Sequence, residues 1–156
     1  MKLSLNRHDK KIGWLDRETV GRLRRAAAGL DPVDAVVEVT VVDDEYIREL
    51  NRGYRGADRP TDVISFSYLD DVDDERTPGE IDQIAGEIYI SFETVQAKAR
   101  KQGIAPEHLF LRIGVHGFLH VLGYVHDTDP DFEKMEAEEK RLLLDYLSPA
   151  EVEELF

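Results

Sequence analysis

Three of the chain's five histidines fall in one run of eleven residues, His116-Gly117-Phe118-Leu119-His120-Val121-Leu122-Gly123-Tyr124-Val125-His126, and no other stretch limits the possible folds so tightly. Residues four apart on a helix lie one above the other, so His116 and His120 present two imidazoles to one point. On a continued helix His126 would sit about 15 Å further along the axis and could not join them. Gly123 resolves the conflict, because a glycine can take the left-handed conformation that ends a helix and turns the chain back. The spacing makes sense as a three-nitrogen metal site only with a bend at that residue.

The helix itself is expected over Glu107 to Leu122. Leu111, Val115, Phe118 and Leu122 form one apolar stripe, and Leu109 and Ile113 share the face of the two histidines. A helix apolar on two sides is enclosed by its neighbours, and imidazoles within it must be paired, hydrogen-bonded or metal-bound. A single histidine there would read as a satisfied core residue. The third one, placed behind a glycine turn, makes a metal site the better reading of the set. Three histidines without a fourth protein ligand leave a position for water, the pattern of a catalytic rather than a structural zinc. One zinc per chain is the expectation; imidazole also suits nickel, copper and iron.

The 156 residues suit one domain, read as residues 1–156. Cysteine is absent, which excludes disulfide scaffolds, thiolate zinc sites, iron–sulfur clusters and thiol nucleophiles. No apolar run approaches the ~18 residues that cross a bilayer. Charge in the segment Met1 to Lys11 replaces the apolar stretch of a secretory signal. A cytoplasmic protein with no membrane partner is expected. The net charge of −13 argues against nucleic-acid binding, since phosphate contacts dominate that affinity. Most of it lies in two segments, however. Leu69 to Asp82 has seven acids and one base, and Asp127 to Phe156 has eleven acids and three bases. Both read as solvated faces. The remainder is close to neutral, so local arginines can still face a phosphate backbone. No glycine-rich phosphate loop precedes a helix, which argues against nucleoside triphosphates.

The rest of the chain alternates strands and helices before a helical final third, which predicts an α+β fold with a small mixed sheet of about four strands. Strands are expected at Lys2 to Asn6, Ala35 to Val42, Val63 to Tyr68 and Ala85 to Ser91. Helices are expected over Trp14 to Gly29, Glu45 to Asn51 (ending near Gly53), Phe92 to Lys101, and from Asp129-Pro130 to about Leu147, where Ser148-Pro149 ends the last. Arg48 and Arg52 are four apart, with Arg55 and Arg59 beyond the expected helix end, a grouping that reads either as a basic lip or as pairing within the helix, such as Asp44 with Arg48. Thr61 and Asp62 read as turn chemistry at a strand start. His108 is assigned no metal role.

The pattern H-x-x-x-H-x-x-G-x-x-H is that of metzincin peptidases, but these carry glutamate as general base after the first histidine, where Gly117 stands. With glycine in that place the run resembles the YbeY family of bacterial rRNA maturation factors, single-strand-specific metal-dependent endoribonucleases. Asn51-Arg52-Gly53-Tyr54-Arg55-Gly56, Pro60-Thr61-Asp62-Val63-Ile64-Ser65-Phe66 and Ala85-Gly86-Glu87-Ile88-Tyr89-Ile90-Ser91 resemble further family segments, and Met135 falls where the family often has methionine. The similarity runs from about Val36 to Leu144. Two departures stand out: Glu87 replaces the family's usual aspartate, and Val125 precedes the last histidine where the family often has aspartate.

The resemblance implies zinc ligation by His116, His120 and His126, and catalytic roles for Arg55 and His116. It also implies RNA contacts by Arg55, Arg52 and Arg59, and action on single-stranded small-subunit (16S) rRNA in ribosome maturation and quality control, with the ribosome or its assembly proteins as partners. A planar guanidinium at Arg55 suits a phosphodiester transition state, since it can clamp two phosphate oxygens. Two other readings are carried beside it: a non-catalytic ribosome-assembly factor with a structural zinc, and a metalloprotease-like hydrolase, which Gly117 disfavours.

Overall fold

The valine-rich segment after Ala35 forms the middle of a sheet, and the other elements arrange themselves around its two faces. The computed structural model describes residues 1–69 and 84–156, so the acidic stretch 69–82, save Leu69, lies outside the described residues. In chain order the elements are β1 (Lys2–Arg7), α1 (Arg17–Ala28), β2 (Val36–Val42), α2 (Asp44–Arg55), β3 (Val63–Ser67), β4 (Ile84–Ser91), α3 (Phe92–Gln102), α4 (Pro106–Val121), α5 (Asp129–Leu143) and α6 (Pro149–Glu154). The sheet order is β1-β2-β4-β3. β1 and β2 pair in parallel, as do β2 and β4, while β3 runs antiparallel along β4. This is the small mixed α+β sheet that the sequence predicts.

Strand alternation sorts side chains onto two unlike faces. Val37, Val39 and Val41 of β2, in register with Gly86, Ile88 and Ile90 of β4, look into the main core. That core takes in Leu23 of α1, Phe110 and Phe118 of α4, and Met135 and Leu143 of α5. The opposite face carries Val42, Ile64, Phe66 and Tyr89, and among the described residues it meets Tyr46, Ile47, Leu50 and Tyr54 of α2. Glu38 and Glu87 lie side by side on that thinner face.

α4 is the organising helix and packs against α1, α3, α5, β3 and β4. Two small residues let it come close. A Cβ at Gly114 would meet Leu23 Cδ1 at 2.5 Å, and one at Gly117 would meet Ile88 Cδ1 at 2.9 Å. At its C-terminal end, β3 fastens it: Ser67 Oγ donates to the carbonyl of Val121 over 2.7 Å.

Two expected helix ends move. α2 runs through Gly53 to Arg55 and stops at Gly56, which has φ +68°. A glycine inside a helix costs about 1 kcal/mol against alanine. The turn is retained because Tyr54 packs edge-on against Phe66 with ring centres 4.9 Å apart, and Gly56 supplies the left-handed stop. Arg55 therefore belongs to the last turn of α2 rather than to a following loop. α5 stops at Leu143, short of the expected Leu147, and Ser148-Pro149 starts α6 instead: Ser148 Oγ accepts from Glu151 N–H while the Glu151 carboxylate accepts from Ser148 N–H, a reciprocal cap.

Candidate metal centre

His116 and His120 project from α4, and the chain leaves that helix through Gly123, whose φ is +96°. The bend expected from the sequence is made there. Tyr124 N–H donates back to the Leu119 carbonyl at 2.9 Å, fixing the returning strand against the helix end. His126 arrives beside the other two: its ring centre lies 5.9 Å from that of His116 and 4.9 Å from that of His120. One ligand atom from each of the three falls within 4.8 Å of the others. The Nε2 atoms of His116 and His120 stand 3.0 Å apart. Imidazoles 2.0–2.1 Å from a tetrahedral ion would be separated by about 3.3 Å, so these rings need only small adjustments to hold one.

The remaining ring nitrogens decide which way the rings face. His120 Nδ1 lies 3.0 Å from the Tyr124 carbonyl, so the same bend that delivers His126 also orients His120. His116 Nδ1 meets a carboxylate oxygen of Glu139, a residue of α5 that is only 3% exposed. With both Nδ1 positions engaged, both Nε2 atoms point at the common site. Burial, reinforced by the neighbouring His116, pushes the His120 imidazolium below its ordinary pKa. The neutral ring is the form that binds a cation, so the donor set fits a transition metal.

The three histidines line a cleft of about 520 Å³ together with Arg55, Thr61, Asp62, Val63, Ser65, Ser67 and the 123–125 turn. β3 forms one wall by presenting Val63, Ser65 and Ser67 on the face that meets α4, and α2 brings Arg55 to the rim. Asp62 is the one carboxylate among the described lining residues, and Lys98 pairs with it at 2.9 Å. Converging imidazoles, a guanidinium and a carboxylate paired with Lys98 are equipped to hold an anionic substrate against a cation.

The comparisons with known proteins agree with this geometry. Residues 15–147 match the family model described as Endoribonuclease YbeY. The chain belongs to the YbeY family. It is 42% identical over 152 residues to the Endoribonuclease YbeY of Moorella thermoacetica, which covers 92% of this chain and 96% of that relative. With the Endoribonuclease YbeY of Geobacillus kaustophilus the identity is 41% over 134 residues, covering 81% and 83% of the two chains. A solution structure from Thermotoga maritima is similar over 92% of this chain and 91% of its own, with a TM-score of 0.57 at 27% identity.

Within this YbeY chain the arginines separate by role. Arg55 lines the cleft. Arg48 forks onto Asp58, Nε to Oδ1 at 2.9 Å and Nη2 to Oδ2 at 3.2 Å, instead of pairing with Asp44. Asp44 is engaged elsewhere, accepting from the hydroxyls of Ser91 and Thr94. Arg52 pairs with Glu49 at 2.5 Å, and neither Arg52 nor Arg59 lines the cleft. His108 Nε2 lies 3.3 Å from a carboxylate oxygen of Glu151.

Among the residues at or behind the cleft, Thr61, Asp62 and Glu139 escaped the sequence reading. Thr61 and Asp62, read as turn chemistry, border the cleft. Glu139, counted with a solvated acidic face, is buried against His116. A signal for Glu139 did exist: with Met135, Leu142 and Leu143 it occupies the buried stripe of α5, where a carboxylate is out of place unless something pairs it.

Proposed function

We propose that residues 1–156 act as one domain, a cytoplasmic zinc-dependent endoribonuclease that cuts single-stranded rRNA during small-subunit maturation. The observation that carries this reading is the convergence of three imidazoles in one cleft that also bears Arg55. His116, His120 and His126 would hold one zinc. When bound, the metal supplies a Lewis acid that polarises a phosphoryl oxygen and acidifies a water. Arg55 clamps the phosphate, its planar fork matching two oxygens and its charge offsetting the charge that grows on them as the bond breaks. Asp62 brings a carboxylate to the same cleft, the type of group that accepts a proton in acid–base catalysis. The 123–125 turn and the wall of β3 set the width available to the RNA strand. Arg52 and Arg59 lie outside the cleft lining and would meet the RNA only beyond its rim, Arg52 from an exposed pair with Glu49. The ribosome or its assembly proteins are the proposed setting. Among the described residues no helix is long and apolar enough to cross a membrane.

The peptidase alternative lacks its base. Gly117 follows His116 where that motif carries glutamate, and a Cβ there would meet Ile88 Cδ1 at 2.9 Å.

Cleavage of a labelled single-stranded RNA by purified protein, with and without chelator, tests the proposal. Zinc-dependent cutting that disappears in His116→Ala supports it. Equal cutting by wild type and variant overturns it.

A further inference from the structure

The contacts behind His116 form a chain of their own. Its Nδ1 meets one oxygen of Glu139, and the other oxygen, Oε2, lies 3.6 Å from Arg112 Nε. Arg112 sits on α4 one turn before His116. Its guanidinium donates to the Leu155 carbonyl and lies over the Phe156 ring, 3.8 Å from the centre. Lys140 approaches the same ring from α5 at 5.0 Å. None of these groups lines the cleft.

The two helix-borne histidines are therefore held by unlike partners. His120 leans on a neutral carbonyl supplied by its own turn, whereas His116 leans on a buried carboxylate supplied by another helix. A buried carboxylate is costly unless its oxygens are matched, and here one oxygen meets an imidazole N–H and the other a guanidinium. An anionic acceptor at Nδ1 fixes the tautomer with the proton on Nδ1, leaves the Nε2 lone pair free, and raises the electron density that it offers a cation.

We propose that Glu139 is the positioning residue of the metal centre. It locks His116 in the ligating tautomer, and Arg112 holds Glu139 in place from an anchor formed by Leu155 and Phe156. This rests on the zinc reading above and extends it to Arg112, four residues before His116, and to Glu139, Leu155 and Phe156, 23 to 40 residues after it.

The test measures zinc affinity by competition with a chelating dye, and the His116 tautomer by ¹⁵N chemical shifts of the metal-free protein. The proteins are wild type, Glu139→Gln, Glu139→Ala and Arg112→Met. Glu139→Gln keeps the volume and an acceptor oxygen, so it carries the test if Glu139→Ala does not fold. Zinc dissociation constants are expected to rise about 10-fold in Glu139→Gln and up to about 100-fold in Glu139→Ala. Arg112→Met should shift in the same direction by less. The Nδ1–H signature of His116 should weaken in the same order. Folded Glu139 variants with wild-type zinc affinity and an unchanged tautomer would overturn the role of Glu139 while leaving the zinc reading intact. A wild-type protein that takes up no zinc would remove both.

Discussion

The two faces of the sheet differ in depth, and the cleft draws on both. Behind one face lies the main core, in which α4 is wedged so tightly that Gly114 and Gly117 leave no room for a methyl group. Against the other, among the described residues, lies α2, over a cluster built on Val42, Ile47 and Ile64. The deep side supplies the imidazoles, which must keep fixed distances to grip an ion. The shallow side supplies Arg55, an exposed guanidinium on the final turn of a helix that carries an internal glycine. In the proposed reading, ligand geometry is thus set by close packing, and phosphate recognition by a side chain free to follow its substrate.

Substitutions can break or sharpen that contrast. On the deep side, His116→Ala should reduce RNA cleavage to background and abolish stoichiometric zinc, read by elemental analysis. Phe118→Ala, beneath the same helix, should cost about 3–5 kcal/mol in denaturant unfolding. Arg55→Ala on the shallow side should lower kcat about 10²–10³-fold with zinc content and melting temperature unchanged. Zinc loss in that variant would mean that the two sides are not independent. Tyr54→Ala, which removes one edge-on ring from the shallow face, should cost only about 0.5–1.5 kcal/mol.

The smallest effect concerns pH. Tyr68 donates to Glu87 at 2.5 Å, and this bond, with burial, raises its pKa to about 12 from the usual 10.0. The folded state therefore keeps a proton that the unfolded chain releases. The stabilisation is fully present below about pH 10 and is lost as pH rises from 10 toward 12. Tyr68→Phe should flatten that part of the melting-temperature profile; an unchanged slope would locate the base-sensitive group elsewhere.

The deep side was the more legible of the two from sequence. A 3.6-residue stripe, a valine-rich strand and a histidine pair interrupted by glycine are local patterns, and each carries its physical reason within a few residues. Strand order was not legible, because parallel neighbours such as β1 and β2 are joined through a helix and their partner choice depends on contacts far apart in the chain. The end of α2 was misplaced because Gly53 looks like a stop until Phe66, from another element, packs on Tyr54. Arg52 and Arg55 shared the expected RNA contacts, and the structure sets Arg52 on Glu49 and Arg55 in the cleft lining, a difference made by partners rather than by position on the helix. Glu139 was hidden by number: among eleven acids in the final thirty residues, its burial depends on α4, which the local sequence of α5 does not reveal.

The bend at Gly123 has a thermodynamic corollary. Because all three nitrogen donors come from an eleven-residue span, bringing them together closes only a short loop, and the entropy of that closure is small. In the proposed reading, even a largely unfolded chain would gather them around an ion, so added zinc would stabilise the native state by less than its affinity for the native site suggests. Arg55 joins them from another part of the chain, and only the folded protein unites grip with reactivity.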